Sequence, residues 1–133
     1  MRLVLDTNIF IAIIGKKSPY RWIFDGILGG RFELCLSNEI LLEYLEILEQ
    51  KTNSEVSHNI GLFLSVHPQI KHVTSYYNWN LIEADGSDNK FVDCALAADA
   101  LLVSNDKHFK ILKETPFPSV LYLDLKEFIQ KYQ

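Results

Sequence analysis

Short, wholly apolar runs alternate along this chain with stretches of helical periodicity, and that alternation leaves few folds open. Leu3-Val4-Leu5, Leu34-Cys35-Leu36, Leu101-Leu102-Val103 and Val120 to Leu123 are contiguous rather than every-other-residue apolar. Such runs mark strands buried on both faces, as in parallel sheets covered by helices. Strands are expected at residues 2–6, 32–36, 71–74, 101–104 and 120–123. Helices are expected at 7–14, from a Ser18 cap and Pro19 to Gly29-Gly30, from a Ser37 cap to about Gln50, at 54–66, and at 88–99. A short helix should follow Asp106. Asp124 and Glu127 have capping-box spacing for a terminal helix. Residues 75–87 read as a loop. The order predicts a three-layer α/β/α fold with a mainly parallel central sheet.

Composition narrows the class. At 133 residues, 48% hydrophobic and 23% charged, the chain is expected to form a single soluble domain with a full core. No apolar run approaches the roughly 20 residues of a membrane span, and Asp6 interrupts the N-terminal apolar stretch, which argues against a signal peptide. Two cysteines without Cys-x-x-Cys spacing fit a reduced cytoplasm and exclude a zinc ribbon. A net charge of −4 argues against a general nucleic-acid binder. Basic residues nevertheless gather after two acidic positions: Lys16, Lys17 and Arg21, then Lys107 and Lys110. They are candidate RNA contacts; solvated helix faces are the plainer alternative.

Four acids occupy places where a carboxylate is awkward. Asp6 ends the first strand, Glu43 lies within the apolar helix pattern of 40–48, Asp93 lies inside Phe91 to Ala98, and Asp106 follows the 101–104 strand. Singly, each has an ordinary reading: a cap at Asp6 or Asp106, a solvated helix residue at Glu43, a pair with Lys90 at Asp93. Together they point to a metal. Ligands of open α/β sheets bind beyond the carboxyl ends of the strands. Convergent carboxylates repel unless protonated or metal-bound, and hard cations such as Mg²⁺ or Mn²⁺ take carboxylate oxygens. Asp88 reads as a cap or supporting residue before a fifth ligand. His58, His67 and His72 show no metal-ligand spacing, and His108 alone lies near a motif. Tyr76, Tyr77 and Trp79 are either base-stacking residues or loop packing.

Leu5-Asp6-Thr7-Asn8-Ile9-Phe10, Ser37 with Glu43-Tyr44, Asp88 to Ala97, and Val103-Ser104-Asn105-Asp106-Lys107-His108 together resemble the PIN-domain ribonucleases. They most resemble the VapC-like toxin components of bacterial toxin–antitoxin systems. The likeness spans nearly the whole chain, residues 1–133 as a single PIN domain. It implies a PIN-like (Rossmann-like) sheet, dependence on Mg²⁺ or Mn²⁺, and endonucleolytic cleavage of RNA. Its acidic set, both catalytic and metal-binding, falls on Asp6, Glu43, Asp93 and Asp106, with Asn8, Ser104 and Asp88 supporting. A protein antitoxin and a homodimer are the implied partners, and the apolar helix carrying Tyr20, Trp22, Ile23, Phe24, Ile27 and Leu28 is either their surface or, on the plainer reading, a fully buried helix. Two departures stand out: Asn105 replaces a glycine, and Asp99-Ala100 lacks one. A non-catalytic PIN-fold interaction module and a phosphate-accepting receiver-like domain are the alternatives; the latter lacks its acidic pair after the first strand.

Overall fold

A computed structural model describes residues 1–133. Five strands form one sheet in the order β3-β2-β1-β4-β5, with β1 at Arg2–Leu5, β2 at Glu33–Leu36, β3 at Ile70–His72, β4 at Leu101–Val103 and β5 at Tyr122–Leu123. Every neighbouring pair is parallel. Leu3, Val4 and Leu5 are all fully buried although they point alternately to opposite faces. Both faces are therefore covered, as expected for the three-layer α/β/α fold.

The helices are α1 at Thr7–Ile14, α2 at Arg21–Leu28, α3 at Asn38–Lys51, α4 at Ser54–Val66, α5 at Asn89–Ala98 and α6 at Leu125–Tyr132. Ser37 caps α3 by accepting from the Ile40 amide, and Asp124 with Glu127 makes the expected capping box on α6. None is long and apolar enough to cross a membrane.

Two expectations are corrected. The second helix begins at Arg21 rather than at the Ser18-Pro19 pair, because the Ser18 hydroxyl accepts from the Tyr20 amide and donates to the Ala12 carbonyl instead. Its apolar excess also turns inward: Ile23, Phe24 and Ile27 are buried, and Trp22 packs on Phe32 and Phe128 at 6.5 and 6.0 Å between centroids. Only Leu28 of that set is exposed, so the helix is a core element and not the free apolar face a partner surface requires.

The strand order reverses direction between β1 and β4. That switch point opens a crevice beyond their carboxyl ends, and Asp6 and Asp106 follow those two strands directly.

Candidate active site

Asp6 leaves β1 with its amide still in the sheet, donating to the Val103 carbonyl at 3.1 Å. It occupies the N-cap position of α1, but its carboxylate caps nothing. It instead accepts from the hydroxyl of fully buried Ser104 at 2.6 Å. The same hydroxyl accepts from the Asp106 amide at 3.0 Å, so one serine ties both acids together. The turn is held from behind. Tyr122 donates to the Ser104 carbonyl at 2.9 Å, and Asn105 accepts from the Leu125 amide at 3.0 Å. Asn105 thus has a structural task, fastening α6 to this turn. The ordinary reading of Asp106 also holds, since its Oδ1 accepts from the His108 amide at 2.9 Å.

Glu43 reaches the crevice from α3, which is anchored to β1 by the Tyr44 hydroxyl donating to the Leu5 carbonyl and by Phe10 stacked on Tyr44 at 4.2 Å. Its Oε2 accepts from the Thr7 hydroxyl, and its Oε1 pairs with Lys90 Nζ at 2.7 Å. Lys90 also donates to the Ser87 carbonyl at 2.8 Å. The lysine therefore serves Glu43, not Asp93.

Asp88 closes the group. It ends a 3₁₀ turn at Gly86–Asp88 and precedes α5, yet it makes no capping hydrogen bond, contrary to the cap reading. Its Oδ2 lies 3.2 Å from His108 Nδ1, which is also 3.4 Å from Asp106 Oδ1.

The electrostatics show which acids share one space. Burial pushes the Asp6 carboxyl above its ordinary value; the Ser104 and Thr7 hydrogen bonds oppose this, and the charges of Asp106 and Glu43 add to it. Burial likewise raises Asp88, opposed by His108 and reinforced by Asp106, Asp85 and Asp6. Repulsion among convergent carboxylates is thus present but second to desolvation.

Asp93 belongs to other surroundings. Burial raises its carboxyl, the Trp79 amide opposes at 3.1 Å, and Glu39 is the acid that faces it. The reason is helical geometry: five residues carry the backbone through a full turn and about 140° more, so Asp88 and Asp93 point to different sides of α5. Of the four acids expected to converge, the structure gathers Asp6, Glu43 and Asp106, sets Asp93 apart, and brings in Asp88. The signal for Asp88 was available in that spacing. Thr7, Lys90 and His108 lay in or beside the motifs, but their partners, Glu43 for the first two and Asp88 for His108, could not be read locally because the contacts join distant segments.

The supporting residues divide as well. Asn8 is exposed in the first turn of α1, and its side chain makes no hydrogen bond. Lys16, Lys17, Lys107 and Lys110 are exposed. Arg21 is not free: it donates to the Ile14 carbonyl at 2.6 Å, pairs with Asp25 at 3.1 Å and lies over Phe24.

The donor set fits a hard divalent cation. Four carboxylates share the crevice; Lys90 is spent on Glu43, and His108 is the one further titratable base against Asp88 and Asp106. That leaves an excess of oxygen donors at a buried place. Asp85, Asp88 and His108 in addition present ligand atoms within 4.8 Å of one another.

A family model described as PIN domain matches residues 2–108, which include Asp6, Glu43, Asp88, Asp93 and Asp106. The chain belongs to the PIN-domain family. Its fold is similar to that of VapBC2 from Rickettsia felis, solved bound to a DNA fragment from the promoter, with a TM-score of 0.66 at 20% identity over 93% of this chain and 98% of that one. VapBC-1 from nontypeable Haemophilus influenzae gives 0.61 at 19% over the same shares. The PIN domain endonuclease Utp24 gives 0.54 at 18%, over 93% of this chain and 84% of that one. At these identities the likeness is one of fold. No curated protein matches in sequence. In this PIN domain, β5 and α6 lie beyond the matched span, yet β5 pairs with β4 and completes the sheet.

Proposed function

We propose that this chain, residues 1–133 as one PIN domain, is a metal-dependent endoribonuclease, the toxin of a bacterial toxin–antitoxin pair acting in the cytoplasm. The observation that carries the nuclease reading is the convergence of four acids at the switch point of the sheet: Ser104 joins Asp6 to Asp106, His108 joins Asp106 to Asp88, and Glu43 accepts from Thr7, the neighbour of Asp6. Asp6, Asp88 and Asp106 would hold Mg²⁺ or Mn²⁺, whose oxygen preferences are alike. When bound, the cation would polarise the phosphate and acidify the attacking water.

The chain's own groups do the rest. Ser104 fixes the rotamer of Asp6 and the backbone of Asp106 with one hydroxyl. Thr7 and Lys90 together immobilise Glu43, which places it as an orienting carboxylate at the rim of the metal-holding group. His108 bridges Asp88 and Asp106 through its Nδ1, at 3.2 and 3.4 Å, and so fixes the two carboxylates relative to each other. Lys107 and Lys110, exposed on the 3₁₀ segment after Asp106, and Lys16 and Lys17 after α1 would draw the RNA backbone in, with salt-dependent binding.

The nuclease reading predicts that labelled single-stranded RNA is cut in Mg²⁺ or Mn²⁺, leaving 5′-phosphate and 3′-hydroxyl ends, and that chelator stops it. Chelator-resistant cleavage with 2′,3′-cyclic phosphate ends would sink it. The toxin reading is supported by the likeness in fold to the VapBC structures. It predicts growth arrest on expression that Asp6→Asn abolishes; arrest persisting in that variant would count against it.

A further inference from the structure

A second feature of the same sheet edge is unused by this chemistry. Beyond the carboxyl ends of β2 and β3 lies a pocket of about 440 Å³, within the usual range for small-molecule sites. Only one of its 13 lining residues is hydrophobic. Its neighbour along the edge is the acidic crevice beyond β1 and β4, and Lys90 belongs to both, lining the pocket while its ammonium pairs with Glu43. Adjacent strands are about 4.8 Å apart, so a polynucleotide with a phosphate at the crevice has its neighbouring nucleotide within reach of the pocket.

The lining decides what enters. Asn89 is committed, holding the Ile82 amide and carbonyl at 2.9 Å each. The side chains of Asn38 and Asn78 make no internal hydrogen bond, and Glu39 is exposed. Asp93, 7% exposed, accepts from the Trp79 amide with Oδ1 while Oδ2 has no protein donor. The pocket therefore presents carboxylate acceptors, and its only cation is already paired. Two carboxylates without a free cation disfavour an anion such as phosphate, and beside the mixed donors and acceptors of Asn38 and Asn78 they favour a neutral group that carries N–H donors. Tyr76, next in the chain to the lining residue Ser75, is 94% exposed and offers a stacking face.

We propose that this pocket is a nucleobase subsite for single-stranded RNA, in which Asp93 and Glu39 accept from the exocyclic amino group of cytosine, adenine or guanine and discriminate against uracil, which has none. The subsite deepens the ribonuclease reading and rests on it for its substrate class.

The test uses the whole chain and free nucleosides in chelator, so neither metal nor cleavage enters. NMR titration with cytidine, adenosine and guanosine should shift the backbone amides of Asn38, Ser75, Asn78 and Asn89. At least one of them should bind about tenfold more tightly than uridine, the weight of a hydrogen bond to a charged group. Asp93→Asn should level that preference while its amide spectrum stays folded; if that variant does not fold, Glu39→Gln, on an exposed first turn, should narrow the preference. Uridine shifting the pocket as strongly as the others, no nucleoside shifting it, or both variants keeping the preference would overturn the proposal. Nucleoside binding without RNA cleavage in any metal would retire the nuclease reading and leave the subsite. Metal-dependent cleavage without nucleoside binding would do the reverse.

Discussion

Replacing Asp6 by Asn should stabilise the metal-free protein at neutral pH. Asp6 is 9% exposed, and the pKa of its carboxyl is raised by burial first and by Asp106 and Glu43 after it. A group whose pKa is higher folded than unfolded contributes stability below its unfolded value and loses it as pH rises through the folded one. Above that range the ionised Asp6 opposes folding. Asparagine cannot ionise, keeps the shape, and still offers an oxygen to the Ser104 hydroxyl. Stabilising single substitutions commonly yield about 0.5–2 kcal/mol, a few degrees in Tm for a domain of this size, and the gain at pH 7 should fall in that range. Urea unfolding in chelator from pH 8 downwards measures it. The gap between variant and wild type should be full at pH 7 and should close as pH falls towards the ordinary carboxylate value of 3.8. A variant less stable than wild type at pH 7, or a gap that widens on acidification, would refute the reasoning. The trade is one expected of a functional site: local charge repulsion is tolerated for the sake of activity.

Two further outcomes follow from particular contacts. Lys90 and Glu43 are 14% and 29% exposed in their side chains, between a surface pair and a buried one. A double-mutant cycle of Lys90→Met and Glu43→Gln should give a coupling of about 1–2 kcal/mol in urea unfolding; a coupling near zero would show that Lys90 does not hold Glu43. Burial pushes the Cys35 thiol up to about 11 and Cys94 up to about 12. Both should therefore resist a thiol reagent at pH 8 in the native protein and react on unfolding, whereas rapid native-state labelling would contradict their placement.

Four of the five strands were legible because each contains a contiguous apolar run, and both faces of β1 are indeed buried; β3, Ile70–His72, is the exception, an edge strand with Lys71 and His72 exposed. Capping residues marked α3 and α6 for the same local reason. What local signals misjudged was set by distant contacts. Ser18 and Pro19 look like a helix start, but Ser18 is drawn to Ala12 across the preceding turn. The apolar helix α2 looked like a surface because one of its partners, Phe128, lies about a hundred residues away and the other, Phe32, reaches it only after the chain turns back at Gly29-Gly30. Asp99 stands where a glycine would have announced a left-handed residue, and it adopts that conformation without one, at φ 53°. At the site, Asp6 and Asp106 were readable because each ends a strand on either side of the switch point. Glu43 required Thr7 and Lys90 to be seen in place. Asp93 attracted attention as a charge inside an apolar run, whereas the turn of α5 directs it to the pocket and leaves the crevice to Asp88.

On the proposed reading Asp88, and not Asp93, completes the metal-holding acidic group with Asp6, Glu43 and Asp106. Single-turnover cleavage of one RNA in Mn²⁺ by wild type, Asp88→Asn and Asp93→Asn tests it directly. Asp88→Asn should lower the rate by about 100-fold or more, and its loss should exceed that of Asp93→Asn at least tenfold. The opposite order, with Asp93→Asn the more damaging, would contradict it.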